Sequence, residues 1–429
     1  MRIVLVADGR SPITRRWVRV LADLGHQTTL ISTFPSAPVE GVEADVCLPV
    51  AFAQYAGSGA GAGNAPANRS GARKIVSAFR PLLLGARYRL GPLTLRTYGP
   101  RLRWLVERIQ PDLVHALRIP YEGFLASYTP PGVPLIVSIW GNDLTLHANG
   151  SSAMAKLTRR TLARADGLMT DAARDVRLAR AWGFDEDKPA LVVPGSGGLD
   201  LNEIAAVKAR MQGRMENRPD AAPLVINPRG FRTGSVRQDT FFASIPLVLE
   251  RLSLGEERLT PGEHRLSISN LRFACAAMAG QREALQMLDR YNLRSKVELL
   301  PHMPQAELWE LFARAAVTVS ISQHDGTPNS LLEAMALGAF PIAGDIESIR
   351  EWITPGVNGL LVEPDKPQAL AEAILLALET PNLRARAAEI NARIVRERAE
   401  IGVVREKIQA FYEAVTHWND RPSLSPAED

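Results

Sequence analysis

Short apolar runs and longer segments of helical period alternate through the first half of the chain. The helical segments include Thr14–Leu24 and Leu157–Ala165, and Gly25 is a typical residue for the end of the first one. Alternation of strands and helices predicts a parallel sheet covered by helices. The apolar runs that predict its strands are Ile3–Val6, Gln27–Ile31, Leu113–His115, Leu135–Ile139, Gly167–Met169 and Ala190–Val193.

The same alternation begins again after a polar stretch, Met211–Pro223, that is rich in Arg, Asn, Asp and Pro. We therefore predict an α/β protein of two Rossmann-like domains, over residues 1–210 and 223–400, joined by a linker over 211–222. The strands predicted in the second domain are Leu224–Asn227, Leu271–Ala276, Val297–Leu300, Val317–Ser322 and Phe340–Ala343. A last helix is predicted over residues 401–418 and a polar, disordered tail over 419–429.

Composition indicates an ordinary soluble protein, since 22% of the 429 residues are charged and 46% are hydrophobic. A net charge of +4 gives no argument for nucleic acid. Cys47 and Cys275 stand in apolar contexts, which predicts buried free thiols and a reducing compartment. No Cys or His spacing typical of a metal site occurs, so no metal is expected. The absence of a leader and of a long apolar run predicts a cytoplasmic protein without a spanning helix.

The segment over residues 69–108 is strongly basic and has apolar residues interleaved with its arginines. Such a surface suits an anionic bilayer, where each cation contributes about 1 kcal/mol. It also fits a solvated helix face whose arginine stems cover apolar surface. We keep both interpretations, the first of which places the protein at the inner face of the cell membrane. Nucleic acid is not expected, because no groove-reading motif or stacking platform is present.

The stretch over residues 317–338 is the most informative part of the chain. A β-rich run ends at a loop that contains Asp325, and a helix predicted to start at Ser330 carries Glu333 and ends near Gly338. A helix N-terminus suits a phosphate, and acids beside it suit sugar hydroxyls, so the pattern favours a nucleotide-sugar. The alternative is structural: Ser330 and Glu333 have the spacing of a capping box, and Asp325-Gly326 is a common turn pair.

The residues around these acids resemble the retaining glycosyltransferases of family 4, which have the GT-B fold. The resemblance is carried by Leu332–Ile342, by Gly356–Val362 and by the spacing of two acids, with Asp325 where the family usually has Glu. It implies two Rossmann-like domains whose parallel sheets face each other across a cleft. It also implies that the last helix, within residues 401–418, crosses back onto the N-terminal domain.

The resemblance implies a role for each donor-side residue. Glu333 would bind the ribose hydroxyls of the donor, Asp325 would face the transferred sugar, and Arg229 would contact the diphosphate. Arg237 is the best substitute for a lysine that the family has and this chain lacks, with Arg232 as its rival. The backbone of the loop and helix tip would orient the sugar and the diphosphate through Gly326, Thr327, Pro328, Asn329 and Ser330.

In the first domain the resemblance is weaker. Trp140 stands where many relatives have a histidine that meets the donor sugar, and Asp143 is the candidate catalytic acid of that segment. Asp143 is also a plausible helix cap. Gly141 belongs to the same segment. Asp8 and Gly9 follow the first strand, where relatives have a glycine-rich acceptor loop.

The function that follows is transfer of a sugar from a nucleotide-sugar to a glycan or lipid-linked acceptor, in cell-envelope polysaccharide or glycolipid synthesis. The nucleotide-sugar is a co-substrate, and neither a cofactor nor a metal is expected. The resemblance implies that sugar configuration is retained. Two alternatives remain: a sugar-nucleotide 2-epimerase, which shares the GT-B architecture, and a non-catalytic sugar-binding homologue.

Overall fold

A computed structural model describes residues 1–55, 85, 87–216, 222–232, 234–254 and 270–418. The chain divides into two compact units, one formed by Met1–Gly197 with Val404–Asp429 and the other by Gly198–Val403. Within the described residues each unit holds one sheet whose strands all pair in parallel. The predicted α/β class with two parallel sheets is confirmed.

The sheet of the first unit has the strand order β3-β2-β1-β4-β5-β6-β7. Its strands are β1 Arg2–Ala7, β2 Gln27–Ser32, β3 Ala44–Cys47, β4 Leu113–Ala116, β5 Leu135–Ile139, β6 Gly167–Thr170 and β7 Ala190–Val192. Its helices are α1 Pro12–Asp23, α2 Leu95–Ile109, α3 Phe124–Ala126, α4 Ser152–Arg164 and α5 Ala173–Ala181. Short 3-10 helices lie at Ala53–Tyr55, Gly91–Thr94 and Ala148–Gly150, and single π-helical turns at Ile119–Gly123 and Asp143–His147.

The second unit repeats the plan with the strand order β10-β9-β8-β11-β12-β13. Its strands are β8 Leu224–Asn227, β9 Arg272–Cys275, β10 Val297–Leu299, β11 Val317–Ser320, β12 Phe340–Gly344 and β13 Leu360–Val362. Its helices are α6 Leu201–Glu216, α7 Gln238–Leu254, α8 Arg282–Arg290, α9 Gln305–Arg314, α10 Asn329–Leu337, α11 Glu347–Arg350, α12 Pro367–Glu379 and α13 Pro381–Ala399, and a last helix α14 covers Ile401–Trp418.

Helix α1 shows how local sequence sets an element. The Ser11 side chain accepts a hydrogen bond from the N–H of Ile13 at 3.2 Å, and a proline occupies the first helical position. Trp17 and Leu21, four residues apart, share the buried face. The turn after the helix contains Gly25 at φ +76°, a conformation that glycine adopts without a steric penalty. The apolar stripe thus packs onto the sheet, and the chain turns into β2.

Helix α14 contributes to the core of the first unit. Its buried face, which includes Val404, Ile408 and Tyr412, belongs to one apolar cluster with Ile3 and Trp17. Residues far apart in the chain therefore share one core.

Three predictions need correction. The units change over between Gly197 and Gly198 rather than at residue 210, and residues 211–216 of the predicted linker continue helix α6. Cys47 is exposed, because it ends an edge strand, whereas Cys275 is buried; both thiols are free. Strands β3 and β13 were not predicted. The predicted tail over residues 419–429, and residues 69–84 and 86 of the basic segment, lie outside the described residues.

Candidate active site

The candidate site of the second unit lies where β8 and β11 end side by side. Arg229 follows β8, and its guanidinium donates to the Asp325 carboxylate and to Ser322 Oγ, the latter at 3.1 Å. Ser322 Oγ lies 2.9 Å from Asp325 Oδ2. Arg229 is buried and the Asp325 side chain is 18% exposed, so one edge of the ion pair is open to a ligand. The structure therefore brings together two residues that are almost a hundred positions apart.

Side chains from β8 and α7 hold Arg229 in place. Asn227 Oδ1 accepts from the Arg229 N–H at 3.1 Å, and Asn227 Nδ2 donates to Gln238 Oε1 at 2.6 Å. Gln238 Nε2 in turn donates to the Arg229 carbonyl. All three are buried. This network positions a buried cation, and removal of one partner of such an ion pair costs about 3–5 kcal/mol.

The loop after β11 is fixed at several points. Ser348 Oγ donates to the Asp325 carbonyl at 2.8 Å, and Trp352 Nε1 donates to Thr327 Oγ1 at 2.8 Å. Gly326, Thr327 and Pro328 are buried. The loop is therefore a preorganised support for the carboxylate of Asp325 and for the helix that follows.

Helix α10 begins at Asn329, with Pro328 as its N-cap residue and no capping hydrogen bond from a side chain. Ser330 is the second residue of the helix, so the capping-box alternative is wrong: Ser330 lies inside the helix, and Glu333 lies in its second turn. Glu333 is buried, and its Oε1 accepts a hydrogen bond from Gln305 Nε2 at 2.6 Å. A helix N-terminus without a side-chain cap leaves its first N–H groups available to bind an anion.

The two rival arginines differ in their surroundings. The Arg237 N–H donates to the Ile321 carbonyl at 2.8 Å, which places Arg237 beside the end of β11. Its guanidinium pairs with Asp239, with Nη2 and Oδ2 2.7 Å apart. Arg232 is exposed on the loop after β8. Arg237 therefore lies next to the end of β11, where the loop that contains Asp325 begins.

Asp143 in the first unit is fully buried, with both carboxylate oxygens engaged. Oδ1 pairs with Arg118 at 2.5 Å, and Oδ2 accepts from the N–H groups of Ile119 and Trp140, each at 3.2 Å. It is the first residue of a π-helical turn whose N-cap is Asn142, so its predicted role as helix cap is wrong. Its carboxylate faces protein groups and positions Arg118 and the Trp140 segment.

The other acceptor-side residues also lie at the carboxyl ends of the first sheet. Asp8 pairs with Arg10 at 2.9 Å, and the Gly9 N–H donates to Ser32 Oγ at 3.0 Å. A Cβ on Gly9 would overlap Ser36 Oγ and lie 2.8 Å from Ser32 Oγ, so another residue there would force these side chains to shift. Gly141 is buried, and its carbonyl accepts from Arg174 Nη2 at 2.9 Å.

His115 is a core residue. Its Nδ1 lies 2.8 Å from the Tyr412 hydroxyl and its Nε2 lies 2.8 Å from Ser138 Oγ. Burial lowers the pKa of His115 to about 3, so the imidazole is neutral at physiological pH.

Several residues of the site were not predicted from sequence. Ser322, Gln305 and Gln238 touch the predicted residues and orient them, but a lone polar residue beside a strand or helix gives no signal of its own. Glu122 and Arg118, which line one cavity of the first unit together with Trp140, were also missed. Among the described residues no group of three His, Cys, Asp or Glu side chains is arranged to hold a metal ion.

Comparison with known protein families identifies the family of this chain. The family described as "Glycosyl transferases group 1" matches residues 274–393, and the "Glycosyl transferase 4-like domain" matches residues 8–195. The chain belongs to the family 4 glycosyltransferases. Both functional regions singled out above, the Asp325 loop and the Trp140 segment, lie inside the matched ranges of this family 4 protein.

Curated relatives align with part of the chain. A "GDP-mannose:cellobiosyl-diphosphopolyprenol alpha-mannosyltransferase" from Xanthomonas campestris is 27% identical over 277 residues, which is 62% of this chain and 65% of that protein. Its counterpart from Xanthomonas oryzae is 26% identical over 280 residues, 63% of this chain and 66% of that protein. The chain thus matches just under two thirds of the length of these curated relatives.

Solved structures agree on the fold of this family 4 protein. Anabaena HepE in complex with UDP has a TM-score of 0.64 at 14% identity, covering 96% of this chain and 100% of that chain. Sucrose-phosphate synthase from Thermosynechococcus elongatus has a TM-score of 0.68 at 15% identity, covering 96% and 98%. The predicted GT-B fold is confirmed.

Proposed function

We propose that this protein is a retaining glycosyltransferase that moves a sugar from a nucleotide-sugar donor to a lipid-linked or glycan acceptor in cell-envelope polysaccharide or glycolipid synthesis. The observation that carries the proposal is the pairing of Arg229 with Asp325 beside the N-terminus of α10, which has no side-chain cap. One small region thereby offers a guanidinium, a carboxylate and backbone N–H groups. These are the groups that a sugar diphosphate requires.

The donor roles follow from these positions. Glu333, oriented by Gln305, accepts hydrogen bonds from the ribose hydroxyls of the nucleotide. Asp325 accepts from hydroxyls of the transferred sugar, and Arg229 balances charge on the diphosphate. The N–H groups at the tip of α10 add a partial positive charge. This assignment requires no resident cofactor, since the nucleotide-sugar is a co-substrate.

The proposed transfer proceeds on one face of the donor sugar. The acceptor hydroxyl oxygen forms a bond to the anomeric carbon, and the bond from that carbon to the diphosphate oxygen breaks. The departing diphosphate oxygen takes the acceptor proton. Arg229 and the helix tip stabilise the negative charge that develops on this oxygen.

The Xanthomonas relatives support a lipid-linked acceptor, because their names describe transfer of mannose from GDP-mannose to cellobiosyl-diphosphopolyprenol. HepE was solved with UDP and with UDP-glucose, which supports a nucleotide-sugar as donor. The relatives thus favour GDP-mannose as the first donor to test, with UDP-glucose second.

A basic surface on the first unit supports contact with an anionic membrane. Leu90, Leu93 and Trp104 are 50%, 51% and 55% exposed, and they lie among the exposed arginines of α2 and of the segment before it. Apolar side chains among cations are typical of surfaces that bind anionic lipid. Among the described residues no helix is long and apolar enough to cross a bilayer.

The membrane proposal is tested by sedimentation with vesicles of phosphatidylglycerol and phosphatidylcholine at low salt. We expect the double change Arg101→Ala and Arg103→Ala to weaken binding about tenfold or more, because each cation near the surface contributes about 1 kcal/mol. Arg386→Ala, an exposed arginine of the second unit, is the matched control. Equal binding of all proteins, or none by the native protein, would refute the proposal.

The donor proposal is tested by a thermal-shift screen against UDP-, GDP-, ADP- and dTDP-sugars, followed by transfer assays with a panel of acceptors. A nucleotide-sugar that binds the folded state raises its apparent stability. We expect Glu333→Ala to abolish the shift, and Asp325→Ala to keep much of it while transfer is lost. Asp289→Ala, an exposed carboxylate paired with Arg294, is the control and leaves both unchanged. Turnover of the donor to an isomer without acceptor, or no shift with any nucleotide-sugar, would contradict the proposal.

A further inference from the structure

The first unit contains a cavity of about 280 Å³ at the carboxyl ends of its strands. Its walls come from the segments after β1, β2, β4 and β5 and from residues that precede α2. Ligands of parallel α/β sheets bind beyond this end of the strands. Three arginines line the cavity, Arg10, Arg87 and Arg118, together with the buried carboxyl group of Glu122.

Each of these guanidinium groups lies over an aromatic ring. Cζ of Arg10 is 3.6 Å from the ring centroid of Phe34, that of Arg87 is 4.6 Å from Tyr121, and that of Arg118 is 5.4 Å from Trp140. A guanidinium stacked on a ring loses part of its freedom before any ligand arrives. The cavity is therefore preorganised for an oxyanion.

Two of the three cations already have a carboxylate partner. Arg10 pairs with Asp8 at 2.9 Å, and Arg118 pairs with Asp143 at 2.5 Å. Arg87 has no ion-pair partner among the described residues, and its Nε is buried without a hydrogen-bond partner. A buried donor without a partner is costly, so a ligand oxygen at Arg87 would relieve that cost. Arg87 is thus the cation available to an anion.

The protonation state of Glu122 determines whether the cavity contains a negative charge that would repel such an anion. Its side chain is buried, and its Oε1 accepts from Thr33 Oγ1 at 3.2 Å. Burial raises the pKa of Glu122 to about 7, although Arg118 and Arg87 lower it. The carboxyl group therefore changes charge near neutral pH, within a cavity where an incoming anion would be repelled by its ionised form.

The other charged or titratable groups that line the cavity with Glu122 are Arg10, Arg87, Arg118, Asp8, Tyr88, Tyr121 and His147. Burial lowers the pKa of His147 to about 4 and raises that of Tyr121 to about 12. Burial also raises the pKa of Tyr88, whose hydroxyl lies 2.6 Å from His147 Nδ1. The pKa of Glu122 lies between those of His147 and Tyr121, so among these three groups Glu122 is the one whose charge changes between pH 6 and 8.

We propose that this cavity binds an oxyanion carried by the acceptor, a sugar phosphate or a uronic acid, at Arg87, and that binding is coupled to uptake of one proton by Glu122. That the ligand is the acceptor rests on the proposed glycosyltransferase function; that the cavity binds an oxyanion does not. Binding itself is measured without donor, so that failure of this inference and failure of the donor proposal are distinguishable.

The test is isothermal titration calorimetry of the full chain with glucuronate, glucose 1-phosphate and methyl glucoside at pH 6 and pH 8. Glucuronate stays ionised across this range, whereas a phosphate monoester has a pKa of about 6. With a pKa of about 7, the protonated fraction of Glu122 falls from about nine-tenths at pH 6 to about one-tenth at pH 8. We therefore expect glucuronate to bind about tenfold more tightly at pH 6 than at pH 8. Binding should take up about 0.1 proton at pH 6 and about 0.9 proton at pH 8, as measured in buffers of different ionisation enthalpy. The anion that binds more tightly identifies the source of the oxyanion.

Two variants separate the roles. Glu122→Gln should bind glucuronate equally at both pH values, with the affinity of the native protein at pH 6. Arg87→Gln should lose the anion at both values, while Arg89→Gln, the exposed neighbour, is the matched control. The thermal shift with nucleotide-sugar reports the fold and the donor site of the second unit in each variant. Binding of methyl glucoside as tight as that of the anions, absence of any anion binding, or an unchanged pH dependence in Glu122→Gln would overturn the proposal.

Discussion

The buried carboxyl group of Glu122 makes a prediction about stability that needs no ligand. Its pKa is raised from an ordinary value of 4.5 to about 7 by burial. Between these values the folded protein holds a proton that the unfolded chain has released. Each pH unit in that window costs about 1.4 kcal/mol, so the protein loses about 3 kcal/mol of this contribution as the pH rises from 4.5 to 7. The contribution is fully present below pH 4.5, and no further loss occurs above about pH 8.

Three histidines whose pKa is lowered, His115, His147 and His26, oppose this trend in the native protein. Burial lowers the pKa of His115 to about 3 and that of His147 to about 4, both from 6.5. A histidine whose pKa is lowered by folding makes stability rise with pH over its own window. The effect of Glu122 is therefore read from the difference between the native protein and Glu122→Gln, in which the histidine contributions cancel.

The assay is urea unfolding at several pH values from 4.5 to 8, followed by hydrogen exchange of peptides from β1 and β4 so that the first unit is observed by itself. We expect the stability difference between the native protein and Glu122→Gln to shift by about 3 kcal/mol in favour of the variant as the pH rises. Glu107→Gln, an exposed acid of α2, should give a profile parallel to that of the native protein. Parallel profiles for Glu122→Gln as well would refute the reasoning.

Three further changes test the interpretation. His115→Gln should remove about 5 kcal/mol of the acid-induced loss of stability between pH 6.5 and 3, checked by urea unfolding, and an unchanged acid limb would contradict it. Gln305→Ala should weaken the thermal shift with nucleotide-sugar, because Glu333 loses the 2.6 Å hydrogen bond that orients it; a full shift would show that Gln305 has no part in binding. Trp352→Phe should raise the KM for donor more than it lowers kcat, since it removes the hydrogen bond to Thr327 but keeps most of the apolar volume; unchanged kinetics would remove the loop support from the account.

The fold was accessible from sequence because most strands are buried on both faces. Leu135–Ile139 and Leu224–Asn227 were predicted with the bounds that the structure has. Strand β3, at the edge of its sheet, was missed: Ala44–Cys47 is largely exposed and carries Asp45, so it lacks the apolar run that reveals an interior strand. The apolar signal reports burial, and an edge strand escapes it for that reason.

The grouping of the residues proposed to bind the donor was partly accessible from sequence, because much of this candidate site is contiguous. Asp325 and Glu333 lie on one loop–helix unit, and the helix tip between them is set by local sequence. The partners Gln305 and Ser322 were not predicted, since each becomes meaningful only when the strand order puts it beside an acid. The domain boundary was misplaced for a related reason: polar residues after Met211 were taken as a linker, although α6 continues through residue 216.

The cavity of the first unit shows where sequence reasoning reaches its limit. Arg87, Glu122 and Trp140 come from three separate segments. Only Trp140 belongs to a stretch that resembles the family, and nothing in the sequence pairs it with Arg87 or Glu122. The charge state of Glu122 depends on how much water its carboxyl group has lost, which is a property of packing. The same glutamate on an exposed helix would be ionised throughout the physiological range. Arg87, which lines the same cavity, has no carboxylate partner among the described residues. The net charge of the cavity therefore depends on whether Glu122 holds a proton and on whether an anion is bound at Arg87. The experiments at different pH values distinguish these two contributions.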